Sequence, residues 1–207
     1  MTEMIPIQNF QPPEHDNLLG CPSGSVEPIE FWPSPVLSGV SQTVDEFDED
    51  LDKLVACMAT TMYSVGGVGL SAIQIGIPCR VFICDIFNGA PPDKKRPPSQ
   101  LLIAVNPEIG WTSEEKVRLE EGCLSFPSLK ESIERPAVVG LRGYSRKGKP
   151  FALRAGGFLG RVIQHEMDHL DGVSFTARMK PFQRQYVMKK MKKFKRGVEN
   201  GTIQLGG

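Results

Sequence analysis

The segment GRVIQHEMDHLDG, residues 160–172, constrains the fold more than any other stretch of the chain. His165 and His169 stand four residues apart, so on a helix they share a face and both imidazoles can address one cation. Glu166, beside the first histidine, is placed to hold and deprotonate a water on that cation. Phe158 and Val162 lie seven and three residues before His165 and read as an apolar wall beside it. Leu159, Ile163 and Leu170 line the other side. A helix that is apolar on both sides is buried. The spacing therefore predicts a helix over about 156–171, ended near Asp171-Gly172, at the centre of the molecule with other elements packed around it.

The rest of the chain supplies those elements. TVDEFDEDLDKLVACMATTMYSVGG reads as an acidic helix. Thr43 with Glu46 fits a capping box, Phe47, Leu51, Leu54, Val55, Met58 and Met62 recur at helical spacing, and Gly66 and Gly67 stop it. CRVFICDIF (79–87) and LLIAVNPEI read as strands separated by a Pro-rich loop. AVVGLRGYSRKGKPFALRA reads as two more joined by a Gly-containing turn. PFQRQYVMKKMKKFKRGVENG reads as a final basic helix. Short strands, two or three helices and no regular βαβ alternation give the class α+β. The expected architecture is short, mostly antiparallel strands packed around a central metal-binding helix, with an N-terminal acidic helix and a C-terminal basic helix. Residues 1–30 read as an irregular arm, 31–181 as the catalytic domain, and 182–207 as the basic helix and tail.

Composition narrows the function classes. With 207 residues and 40% hydrophobic content the chain can bury one sizeable core. A formal net charge of zero gives no field toward nucleic acid or a membrane, and no apolar run has transmembrane length. Neither a membrane nor specific DNA is an expected partner. The first twenty residues do not read as a secretory signal. Five scattered cysteines form no disulfide framework and read mostly as buried reduced thiols.

Two histidines leave a metal site unfinished, because a hydrolytic centre wants three protein ligands and an open position. No histidine follows His169, and the downstream carboxylates, Asp171 at the helix end and Glu199 in the polar tail, are poorly placed. His15 reads as a surface residue of the arm. Cys123, in EEGCLSFPS, is the better candidate: a thiolate suits a borderline-soft divalent metal, and its neighbour Gly122 allows close backbone approach.

Three motifs in order, GVGLSAIQ (67–74), EGCLS (121–125) and QHEMDHL (164–170), resemble the signature motifs of the peptide deformylase family, which removes the formyl group from the initiator methionine of nascent chains. The resemblance covers residues from about 32 to 175. It implies that Cys123, His165 and His169 are ligands of one divalent metal ion, with Fe²⁺ expected and Zn²⁺, Ni²⁺ or Co²⁺ able to substitute. It implies Glu166 as general acid/base, with Gln74 and the backbone N–H of Leu124 as oxyanion donors. Departures are few: Ser71 stands where Ala is common, Ile73 occupies a variable place, and Lys130 stands where many members have Arg. They bear on fine substrate preference, not on the chemistry.

The implied reaction is hydrolysis of a formamide C–N bond in nascent formyl-methionyl peptides, in a cytoplasm of bacterial type, with an organelle left open. Gly69 would let a substrate backbone pair as an added strand. Val68, Phe158 and Val162 would receive an unbranched side chain such as methionine. Glu121 and Arg135 are expected to pair in support of the Cys123 strand, and Asp168 to support a ligand or a neighbouring backbone. The basic helix, with Val187, Met191 and Phe194 at helical spacing among Lys189, Lys190, Lys192, Lys193, Lys195 and Arg196, reads as a solvated face on a docked helix. The sharper reading is a contact with the ribosome. Two rivals stand beside the hydrolase of formyl groups. An H-E-x-x-H metalloendopeptidase needs a downstream third ligand and a long cleft. A non-enzymatic module with a structural metal needs four protein ligands.

Overall fold

The computed structural model describes residues 24–88 and 101–203. The Pro-rich loop expected between the first strands, most of the N-terminal arm and His15 lie outside them.

Helix α1 spans Glu49–Ser64. It starts later than the Thr43–Glu46 box suggested, because Asp48 is the stronger cap: its Oδ1 accepts from the N–H groups of Asp50 and Leu51 at 3.0 and 3.1 Å. Phe47 therefore precedes the helix and packs its ring against Tyr144. Glu49, Asp50 and Asp52 crowd the first turn, where the helix dipole favours them. Val65 caps the far end, and Gly66 turns the chain at φ +66°.

Seven strands follow: β1 Gly69–Ser71, β2 Val81–Cys84, β3 Leu102–Thr112, β4 Lys116–Cys123, β5 Phe126–Pro136, β6 Val138–Tyr144 and β7 Pro150–Gly156. Five form one antiparallel sheet in the order β1-β2-β3-β6-β7. Strands β4 and β5 form a separate antiparallel hairpin. The sequence suggested only a strand-like stretch ending at Cys123. The structure has a long hairpin there, closed by the turn residues Leu124 and Ser125, with a register shift between Gly122 and Cys123.

Helix α2, Gly157–Leu170, has eleven of its fourteen residues buried. One face packs Val162, Ile163, Met167 and Leu170 on Phe82, Ala104, Val139 and Leu141 of the five-stranded sheet. Ile163 and Leu170 are fully buried, each contributing roughly 1.5–3 kcal/mol to folding. Helix α3, Pro181–Glu199, buries Val187 and Met191 against Phe126, Leu129, Ile133 and Phe175, and keeps its lysines outward. The segment ahead of α1 ties two distant pieces together: Glu30 N–H donates to Gln74 O at 2.8 Å and Trp32 N–H to Ser125 O at 3.0 Å. Among the described residues no helix is long and apolar enough to cross a membrane.

Candidate metal centre and active site

Helix α2 places His165 and His169 one turn apart on the face turned toward the hairpin, with ring centroids 5.0 Å apart. The end of β4 brings Cys123 to the same point. One ligand atom from each of Cys123, His165 and His169 lies within 4.8 Å of the others. Cys123 Sγ is 3.2 Å from His169 Nε2. His165 Nδ1 is 2.9 Å from Glu121 Oε2, which fixes that nitrogen as the donor and leaves Nε2 to face the sulfur. A thiolate with two imidazoles fits a borderline divalent ion such as Fe²⁺ or Zn²⁺ and does not fit Mg²⁺ or Ca²⁺. Among the described residues this is the one such group of three donors.

Electrostatics follow from burial and neighbours. Burial alone would raise Glu121, but hydrogen bonds from Arg135 and His165 outweigh it and hold the carboxyl well below the usual range. Burial pulls His169 well below the usual histidine value, helped by the charges of His165 and Arg135, so its imidazole stays neutral, as a ligand must be. Burial lifts Glu166 above the ordinary carboxylate range, opposed by His165 and by a hydrogen bond from Ser71. A raised carboxyl is the property required of a group that accepts and returns a proton near neutrality.

Gln74 sits in the short 3-10 turn Ala72–Ile75, directly after β1. Its Oε1 accepts from Ser71 N–H at 2.9 Å, which aims Nε2 at Ser125 Oγ (3.2 Å) and toward Cys123 Sγ (3.7 Å). Leu124 opens the turn just beyond Cys123. Gly69 lies on β1 at the edge of the sheet. The structure adds a reason for glycine that the sequence reading lacked. A Cβ there would fall 2.5 Å from Glu166 Oε1 and 2.8 Å from Val162 Cγ1, so the small residue admits the glutamate as well as any substrate. Val162 is buried and Val68 packs on the same cluster, whereas Phe158 is half exposed at the first turn of α2. The expected apolar wall is thus Val162 and Val68 inside, with Phe158 outside it at the surface.

Arg135 on β5 donates to both oxygens of Glu121 (2.6 and 2.9 Å) and to Asp168 Oδ2 (2.7 Å). Through Arg135, Asp168 braces the hairpin against α2, at no ligand atom, and it also accepts from Arg178 in the turn Phe175–Arg178. Sequence reasoning missed Arg161. It is 3% exposed and reaches from α2 to Glu121 Oε1 (2.9 Å), Ile133 O (3.0 Å) and Val117 O (2.7 Å). Its signal was there: an arginine four residues before His165, on the same face of a helix otherwise read as buried. Asp171 pairs with Arg80 at 2.8 Å and Glu199 lies near Lys195, so neither downstream carboxylate serves as the third ligand that an endopeptidase would need.

Comparison with known proteins agrees with this geometry. The polypeptide deformylase family profile matches residues 26–185. The chain is 40% identical over 169 residues to a peptide deformylase of Brucella suis, covering 82% of this chain and 93% of that protein. It is 42% identical over 169 residues to one of Phenylobacterium zucineum, covering 82% and 96%. A crystal structure of a peptide deformylase from Legionella pneumophila superposes with a TM-score of 0.74 at 36% identity, covering 83% of this chain and 96% of that one.

Proposed function

This chain belongs to the peptide deformylase family, and from that premise we propose how its residues divide the work of removing the formyl group from the N-terminal formyl-methionine of nascent polypeptides. Cys123, His165 and His169 would hold the metal ion, of which Fe²⁺ is the proposed occupant. When bound, a divalent cation there supplies Lewis acidity that lets a water lose its proton near neutral pH. Glu166 takes that proton and delivers it to the departing amine. Its buried, raised carboxyl and its place between β1 and the ligand cluster support this. Gln74 Nε2 and Leu124 N–H are the donors for charge developing on the formyl oxygen, each such donor typically supplying roughly 3–4 kcal/mol. The free edge of β1 at Gly69 pairs the peptide backbone, and Val68 and Val162, with Phe158 at the rim, receive the methionine side chain.

The observation that carries this reading is the convergence of a hairpin thiol and two helix imidazoles beside a buried glutamate. The test is formate release from a formyl-methionyl tripeptide by anaerobically purified, metal-assayed protein. Wild type should release formate and Glu166→Gln should retain metal without turnover. Equal rates would remove Glu166 from the mechanism.

A cytoplasmic location and a contact between α3 and ribosomal RNA belong to the same proposal. Lys189, Lys190, Lys192, Lys193, Lys195 and Arg196 are all exposed, and Phe182 is 81% exposed at the start of the helix. Because Val187 and Met191 are core residues, reversing Lys189, Lys192 and Lys193 to Glu tests this better than truncation. Ribosome binding should weaken and lose its salt dependence. Unchanged binding would exclude the helix.

A further inference from the structure

We propose that Ser71 is a positioning residue for the deformylation reaction: its hydroxyl locks the Glu166 carboxylate while its backbone N–H locks the Gln74 amide. The inference rests on the roles given to Glu166 and Gln74 above, and it revises the expectation that Ser71 bears on substrate preference alone: its contacts are with the residues of the chemistry. Ser71 is the last residue of β1 and is fully buried. Its Oγ lies 2.6 Å from Glu166 Oε2 and 3.1 Å from the main-chain O of the same residue. The hydroxyl has one proton, donated to the nearer carboxylate oxygen, with the carbonyl as a second, weaker acceptor. Bonding to both ends of one residue selects a single side-chain conformation for it.

Two residues back on the same strand face, Gly69 leaves room for the other oxygen: a Cβ there would come within 2.5 Å of Oε1. Strand β1 thus holds Oε2 by a donor and accommodates Oε1 by a missing side chain. Among the described residues the Ser71 hydroxyl is the hydrogen-bond partner of this carboxylate. The N–H of the same residue donates to Gln74 Oε1 at 2.9 Å, so the amide presents Nε2, not oxygen, toward Cys123. Proton acceptor and oxyanion donor are therefore referenced to one residue of an edge strand. A substrate pairing with that strand meets both in fixed register.

Ser71→Ala removes the hydroxyl and keeps the N–H, so it separates the two halves of the proposal. The expected result is a kcat for the formyl-methionyl tripeptide lowered about tenfold by the looser carboxylate, with KM and metal content unchanged. A crystal structure of metal-free Ser71→Ala should show the Glu166 carboxylate displaced and Gln74 unmoved. If Ser71→Ala turns over at the wild-type rate with Glu166 in place, or raises KM alone, this inference fails. If the wild type releases no formate, it is the functional reading that fails.

Discussion

Helix α2 and the β4–β5 hairpin contribute to the same centre, but one is buried along nearly its whole length and the other is exposed along most of β4. Helix α2 itself is held by hydrophobic packing: Val162, Ile163, Met167 and Leu170 sit in the sheet's core cluster, and the hairpin's Glu121 adds one directional bond, to His165 Nδ1. The sulfur of the hairpin is held differently. Arg135 reaches from β5 to Glu121 and Asp168, and Arg161 reaches back from α2 to Glu121 and two hairpin carbonyls. Two arginines running in opposite directions clasp the sulfur-bearing element to the histidine-bearing one. Non-directional packing suffices for the helix because its ligand spacing is built into helical geometry. A hairpin needs directional bonds to set where its end falls.

Lesions on the two sides should fail in different ways. The largest effect is expected at the ligands: Cys123→Ala or His165→Ala should lose bound metal outright, measured by elemental analysis of the purified protein. Cys123→Ala, on the clasped side, should keep a cooperative melt, and a collapsed fold there would break the comparison. Arg135→Ala comes next. Removing one partner of a buried ion pair costs about 3–5 kcal/mol, and loss of a group supporting a ligand typically weakens metal binding about 10–100-fold. Chelator competition and urea unfolding read the two quantities, and unchanged affinity would show that the sulfur needs no ionic clasp. Ile163→Ala should do the reverse, destabilising the fold by about 2–5 kcal/mol while the folded fraction binds metal as before. The smallest effect is expected at Ser128, on β5 just beyond the turn, which adopts φ +60° without being glycine. Ser128→Gly should stabilise by less than about 1 kcal/mol, relief of the left-handed backbone being offset by a more flexible unfolded chain. Destabilisation would mean that its side chain matters more than its backbone.

The same contrast explains what could be read from the sequence. Helix α2, its ligands and its burial were legible, because a 3.6-residue period and a spacing of four write packing directly into residue order. The start of α1 was misplaced by one competing cap, Asp48 against Thr43, a choice made by hydrogen bonds and not by pattern. The hairpin was legible at Cys123 and in the expected pairing of Glu121 with Arg135, which the structure forms. Its extent was not, because Arg161, which also holds it, resembles a solvated surface residue until its partners are known. Ser71 stood out only as a departure from a motif, and its contact with Glu166 joins residues 95 apart in the chain.

X-ray absorption at the metal edge of the loaded wild-type protein tests the joint grip of helix and hairpin most directly. One sulfur scatterer at about 2.3 Å with two imidazole nitrogens at about 2.0–2.1 Å is expected if zinc is loaded. A first shell without sulfur, or one completed by a fourth protein ligand, would contradict it.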